Sequence, residues 1–185
     1  FYNKSNGVPK PGKGTNEKIS AQKIKDYSNL ALKKHGNWRR KLDDDWAQEF
    51  SIDGKRWQTV EHYYQASKFK KKNPHFFNLF ALDSNDDISK DVEIAKAVGS
   101  LKGIYKKGKT VVQTRPSEIK IDPDFYGTRK DEEREKALYA KFSQNEDLKE
   151  MLKETKEAVL QKHIPKSKAE KDILLMKVRN RIQIE

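Results

Sequence analysis

The stretch from Asp53 to Phe69 constrains the fold more than any other part of this chain. Asp53-Gly54 is a strong turn dipeptide. With Phe50-Ser51-Ile52 before it and Lys55-Arg56-Trp57 after it, the segment predicts a short hairpin. Thr59 then supplies an N-cap, and Glu61 places a carboxylate in the first turn, at the positive end of a helix. A helix is therefore expected from Thr59 to about Lys72, where Asn73-Pro74 stops it. Positions 57, 61, 64, 65 and 68 share one stripe at helical spacing, and the stripe persists from Glu61 onward if Trp57 just precedes the helix. It carries Trp57, Glu61, Tyr64, Gln65 and Lys68, polar groups where a core stripe would be aliphatic. The stripe therefore either lines a cleft or forms a solvated Glu–Lys face. Tyr63, Tyr64 and Phe69 all demand burial, so Glu61 and Lys68 are expected to be partly desolvated.

The remainder of the chain reads as α+β, a single mainly helical domain with a small β-sheet. Further helices are expected over 20–33, 76–82, 88–99 (ending at Gly99), 131–141, 148–160 and 173–182, and Val111-Val112-Gln113-Thr114 reads as a strand. Apolar residues make up only 34%, against 37% charged, but three tryptophans, seven tyrosines and eight phenylalanines supply large side chains for a core. A length of 185 residues suits one domain over 1–185, with 1–18 an irregular N-terminal segment. Within that segment Gly7 and Gly12-Lys13 approach a phosphate-binding loop. Gly14 stands where Ser or Thr is needed, and Pro9 and Pro11 lack N–H donors, so that reading is rejected.

The net charge of +12 fits polyanionic partners such as nucleic acid or nucleotides. It fits equally well a lysine-rich surface, because acidic residues are interspersed and no block of about five like charges occurs. There is no cysteine, which excludes disulfides and thiolate-ligated metals and agrees with an intracellular site. No apolar run approaches the roughly 18 residues of a membrane span. No histidine pair has metal-ligand spacing, and Asp43-Asp44-Asp45 reads as a solvated acidic turn, so no metal is expected. His62 points to another side of the helix from Glu61 and is expected to make a structural hydrogen bond.

The run Glu61-His62-Tyr63-Tyr64-Gln65-Ala66-Ser67-Lys68-Phe69, preceded by Asp53-Gly54 and Trp57, resembles the signature of the NADAR (YbiA-like) family. Other pieces follow in the family's order: Phe1-Tyr2, Leu42 to Phe50, Ala95-Lys96-Ala97-Val98-Gly99, Arg115-Pro116, Asp124-Phe125, Lys141-Phe142-Ser143-Gln144-Asn145 and Leu175-Met176-Lys177-Val178-Arg179. Two departures stand out. The Ser-Asn of the early motif is Asp43-Asp44, and residues 161–172 replace a late Trp-Gly…Gly-x-Asn loop. The flavin-pathway role of some bacterial members is therefore not carried over.

The resemblance implies a YbiA-like fold and an N-glycosidase. Some members act on ribosylaminopyrimidine intermediates of flavin synthesis, and others remove ADP-ribose from guanine in nucleic acid. Here it implies ADP-ribosylated nucleic acid or nucleotide as partner, no cofactor, a monomer and an intracellular enzyme. Lys68 is the implied nucleophile, through a Schiff base at the sugar C1, with Glu61 as acid/base. The two lie about 10 Å apart along the helix axis, and Lys68 is expected to lean back to meet Glu61. The competing route has Glu61 or Asp124 stabilising an oxocarbenium ion. Trp57 and Tyr64 would stack on a base or adenine, with core burial the alternative for Trp57. Arg115 would fork onto a phosphate or form an internal ion pair. Gln65 would fix a hydroxyl or base edge, and Asp124 the ribose hydroxyls. Lys141 and Asn145 would join the site or else cap and pack the next helix. A non-catalytic ADP-ribose or nucleic-acid reader is the rival class.

Overall fold

The computed structural model describes residues 22, 27, 35–164 and 166–185. The expected irregular segment 1–18 and nearly all of the expected helix over 20–33 lie outside the described residues. Along the chain the elements run α1 (Trp38–Lys41), β1 (Phe50–Ile52), β2 (Lys55–Trp57), α2 (Val60–Ser67), α3 (Pro74–Asn78), α4 (Asp87–Lys90), α5 (Val92–Gly99), β3 (Ile104–Lys107), β4 (Thr110–Thr114), α6 (Lys130–Gln144), α7 (Glu146–Glu154), β5 (Gln161–Lys162), β6 (Glu170–Lys171) and α8 (Ile173–Ile184). The fold is α+β, as the sequence led one to expect. Its strands form three two-stranded antiparallel ribbons among the described residues. The backbone divides into two compact units, one of Ala47–Lys141 and one joining the described residues up to Trp46 with those of Phe142–Glu185.

In the Ala47–Lys141 unit, β1 pairs with β2 in the register Phe50↔Trp57 and Ile52↔Lys55. Asp53 (φ 52°) and Gly54 (φ 75°) are both left-handed, as a two-residue hairpin of primed type requires. The hairpin delivers Trp57 into an aromatic core. Its ring meets Tyr63 edge-on at 4.9 Å and Phe77 at 5.2 Å, and Phe69, Phe76 and Phe80 pack beside one another. Thr59 caps α2 by accepting from His62 N (3.1 Å), while His62 Nδ1 bonds back to Thr59 Oγ1 (2.7 Å). His62 therefore has the structural role expected of it.

Helix α2 stops at Ser67, short of the expected Lys72, because another segment takes its terminal backbone groups. Arg129 Nη1 donates to Ser67 O (2.8 Å) and Asp122 N donates to Lys68 O (2.7 Å). The Asp122 carboxylate accepts from Lys71 N (3.0 Å) and Lys72 N (3.1 Å), and pairs with Arg129 Nη2 (2.8 Å). The helix expected over 88–99 is split by Asp91, whose backbone is extended and whose carboxylate caps α5 by accepting from Glu93 N (2.8 Å) and Ile94 N (3.3 Å). Helix α3 starts at Pro74, earlier than expected, because proline suits a first helical position.

In the other unit, Leu148, Met151 and Leu152 of α7 and Leu175, Val178 and Ile182 of α8 are all buried. Asp172 caps α8 by accepting from Leu175 N (3.1 Å). Asp44 pairs with Lys162 (2.9 Å), so the acidic triplet Asp43-Asp44-Asp45 is not merely a solvated turn. No helix among the described residues is long and apolar enough to cross a membrane.

Candidate active site

Glu61, Gln65 and Lys68 follow one another along α2, with Lys68 its C-cap. Gln65 joins the other two. Its Nε2 donates to Glu61 Oε1 (2.7 Å), and its Oε1 accepts from Lys68 Nζ (2.6 Å). The acid and the amine thus communicate through an amide, whereas the sequence suggested direct approach. Lys68 Nζ also donates to Gly99 O (2.9 Å), at the last residue of α5.

The sequence marks Gly99 as a helix terminator, but its backbone is not in the left-handed region. A Cβ here would lie 2.2 Å from Gln65 Oε1 and 2.9 Å from Gln65 Cβ. Glycine is needed because the Gln65 side chain occupies the space.

Lys68 is only 5% exposed. The rings of Tyr64, Tyr126 and Phe125 stand 5.6, 5.9 and 6.0 Å from its Nζ. Burial pushes its pKa down to about 8, against the opposing pull of Glu61 and with a smaller push from Arg115. About a tenth of the amine is then neutral at pH 7. Tyr64 is half-buried, and burial raises its phenol to about 12.

Arg115 organises this corner from behind. Its Nη1 donates to Val98 O (2.6 Å) and Ser100 O (2.7 Å), and its Nη2 to Leu101 O (3.2 Å). The guanidinium is committed to the carbonyls around the end of α5. It therefore fixes the loop that presents Gly99 O, and neither the phosphate fork nor the internal ion pair is what the structure shows. Asp124 lies on the surface between Lys71 and Arg129 (3.1 Å). Bonding to Lys71 first, then to Arg129, holds its carboxyl below the usual range.

Trp57 is fully buried, 0% exposed, against Tyr63 and Phe77. The stacking role is corrected to core packing, because no ring face remains to meet a ligand. Lys141 is fully buried on α6. Asn145 stands at the N-cap of α7, in the other unit. The sequence reading missed the parts that Gly99, Phe125, Tyr126, Asp122 and Arg129 play. The family-like element Asp124-Phe125 was a usable signal for the aromatic wall beside the amine; no spacing rule links the others to Lys68.

The NADAR domain family matches residues 27–169, most of the chain. The chain belongs to the NADAR family. The match includes the whole of α2 and α5, and so every group around Lys68. The NMR structure of the E. coli protein YbiA is similar in fold, with a TM-score of 0.55 and 24% identity over 78% of each chain. No curated protein matches the chain. The NADAR family is associated with N-glycosidase activity.

Proposed function

We propose that this NADAR chain is an N-glycosidase that releases ADP-ribose from an exocyclic nitrogen of guanine in nucleic acid, by way of an imine at Lys68. The supporting observation is the setting of the amine. Its Nζ is buried, and two of its N–H bonds go to Gln65 Oε1 and Gly99 O. An ammonium has three N–H bonds and a neutral amine two. Loss of one proton leaves both acceptors satisfied and turns the remaining direction into a lone pair. The site admits the nucleophilic form without leaving a buried group unpaired.

A sugar C1 attached to an exocyclic amine can open to an imine. Lys68 adds to C1, and the base nitrogen leaves as an amine once a proton reaches it. C1 is then double-bonded to Nζ. Water adds to C1, the C1–Nζ bond breaks, and the freed aldehyde closes to ADP-ribose. Glu61, half-exposed beside Lys68, carries protons between water and the leaving nitrogen. Tyr126, half-exposed near Nζ, takes over the stacking role first assigned to Trp57. A route through Asp124 lacks support, since Lys71 and Arg129 engage that carboxylate.

The test is incubation with a guanine-ADP-ribosylated oligonucleotide, following released ADP-ribose, with borohydride added to trap the imine. The reading expects an adduct at Lys68, and Lys68→Ala should lose both adduct and release. Continued release by Lys68→Ala would remove the lysine route. Turnover of a ribosylaminopyrimidine with no action on the oligonucleotide would overturn the substrate, and ADP-ribose binding without turnover would make the chain a reader.

A further inference from the structure

The ribbon β3–β4 is basic and mostly exposed. Residues 101–117 include Lys102, Lys106, Lys107, Lys109 and Arg115 and no acidic residue; residues 62–82 are also basic and free of acids, but there Lys70 and Lys71 pair with Glu133 and Asp124. Arg115 is committed to backbone carbonyls, but the four lysines have no ion-pair partner among the described residues. Leu101 (79%), Ile104 (40%), Val111 (52%) and Val112 (51%) are exposed on the same segment. The register sets Lys106 opposite Val111 and Ile104 opposite Thr114, so lysine and aliphatic side chains share a face. The tip turns at Gly108 (φ 63°).

The ribbon is tied directly to the candidate active site. Gly99 O holds Lys68 Nζ, Ser100 Oγ accepts from Gly103 N (3.2 Å), and Arg115 N donates to Gly103 O (2.7 Å) at the ribbon's base. Gly103 (φ 67°) leaves room for the Arg115 side chain, which a Cβ would approach to 2.9 Å.

We infer that β3–β4 is a nucleic-acid-binding arm, whose lysines hold phosphates of the strand that carries the modified base and whose Ile104 and Val111 lie against sugars. The four residues of β3 extend over about 13 Å, the rise of roughly four nucleotides of one strand. Lysines with no acidic neighbour suit a phosphate backbone, and a two-stranded ribbon is narrow enough to lie in a groove or along an unpaired strand. The substrate of the proposed glycosidase is then a polymer rather than a free nucleotide. The inference rests on that reading for its biological sense, but binding is measured without turnover.

The experiment is fluorescence anisotropy with unmodified, fluorescein-labelled single-stranded DNA across a salt series. It compares the wild type, Lys68→Ala, and the triple variant Lys106→Gln, Lys107→Gln, Lys109→Gln. Each phosphate contact on a single strand contributes about 0.7 to the slope of log K against log salt, so losing three flattens it by about 2 and weakens binding on the order of 100-fold near 0.1 M salt. Lys68→Ala should bind DNA as the wild type does, which separates this inference from the lysine chemistry. A second variant, Lys102→Gln with Lys109→Gln, should lose proportionally less. Unchanged DNA binding by the triple variant overturns the inference. So does wild-type binding to polyglutamate as tight as to DNA, which would make the arm a protein-docking surface.

Discussion

Adding one methyl group at position 99 should disable the site without touching a charged residue. In Gly99→Ala the new Cβ would sit 2.2 Å from Gln65 Oε1 and 2.9 Å from Gln65 Cβ. The amide end can rotate away, but Gln65 Cβ is fixed to α2, so α5 must also shift. Lys68 then loses an acceptor held at 2.6 Å, and Gly99 O, its other partner, moves with α5. A hydrogen bond to a charged group contributes about 1.5–3 kcal/mol. Gly99→Ala should therefore cost roughly 2–3 kcal/mol, seen in urea unfolding or as a drop in Tm of roughly 5–10 °C for a chain of this size. Borohydride trapping should fall with it, because the amine is no longer oriented. The check is a double-mutant cycle with Gln65→Gly, which removes the clashing side chain. Gln65→Gly alone loses the same hydrogen bond plus about 1 kcal/mol of helix propensity. Gly99→Ala should add little on that background, giving a coupling of about 2 kcal/mol. Costs that add to within about 0.5 kcal/mol would refute the reasoning.

Imine formation needs the neutral amine, and burial sets the Lys68 pKa at about 8; trapping should rise about tenfold per pH unit below that value and level off above it. A midpoint near an ordinary lysine's would contradict this. His62 is held neutral, its pKa pushed by burial from 6.5 to about 4. The unfolded chain thus takes up a proton first as pH falls, and stability should drop by about 3 kcal/mol between pH 6.5 and 4; a His62→Asn variant, followed by urea unfolding across that range, should lack this drop. Trp57→Ala should destabilise by about 3–5 kcal/mol, since the ring is fully buried, which calorimetry would show. Asp122→Asn removes the shortest ion pair of Arg129, leaving Asp124 (3.1 Å) and Glu133 (3.8 Å) beside it, and should cost about 1.5–3 kcal/mol in chemical denaturation.

Features carried by neighbouring residues were legible in the sequence. Asp53-Gly54 alone encodes the first hairpin, and Thr59 alone encodes the start of α2. Features set by distant partners were not. The end of α2 depends on Asp122 and Arg129, which lie more than a few turns of chain away. Asp91 did carry a local cap signal, but Ile88, Val92, Ala95 and Val98 keep helical spacing straight across it and hid the break. Strand β3 escaped notice because Ile104-Tyr105-Lys106-Lys107 is largely exposed, so no alternation marks a buried face. At the candidate site, Glu61, Gln65 and Lys68 could be grouped from spacing alone, because one helix holds them. The roles of Trp57 and Arg115 could not be chosen from sequence, since a buried indole and a ligand-stacking indole leave the same trace. Gly99 looked like a helix stop because the residue it accommodates is remote in sequence.

The carboxylate of Asp122 acts as a rivet between stretches about fifty positions apart in sequence, gripping the backbone of Lys71 and Lys72 on one side and the Arg129 side chain on the other. Because the exposed ribbon tip at Gly108 lies between these stretches, a tryptic cut there would sever the covalent path while the rivet still fastened the two pieces. The fragments would co-elute as a nicked species, and the same tip would accept a peptide insertion or new chain ends.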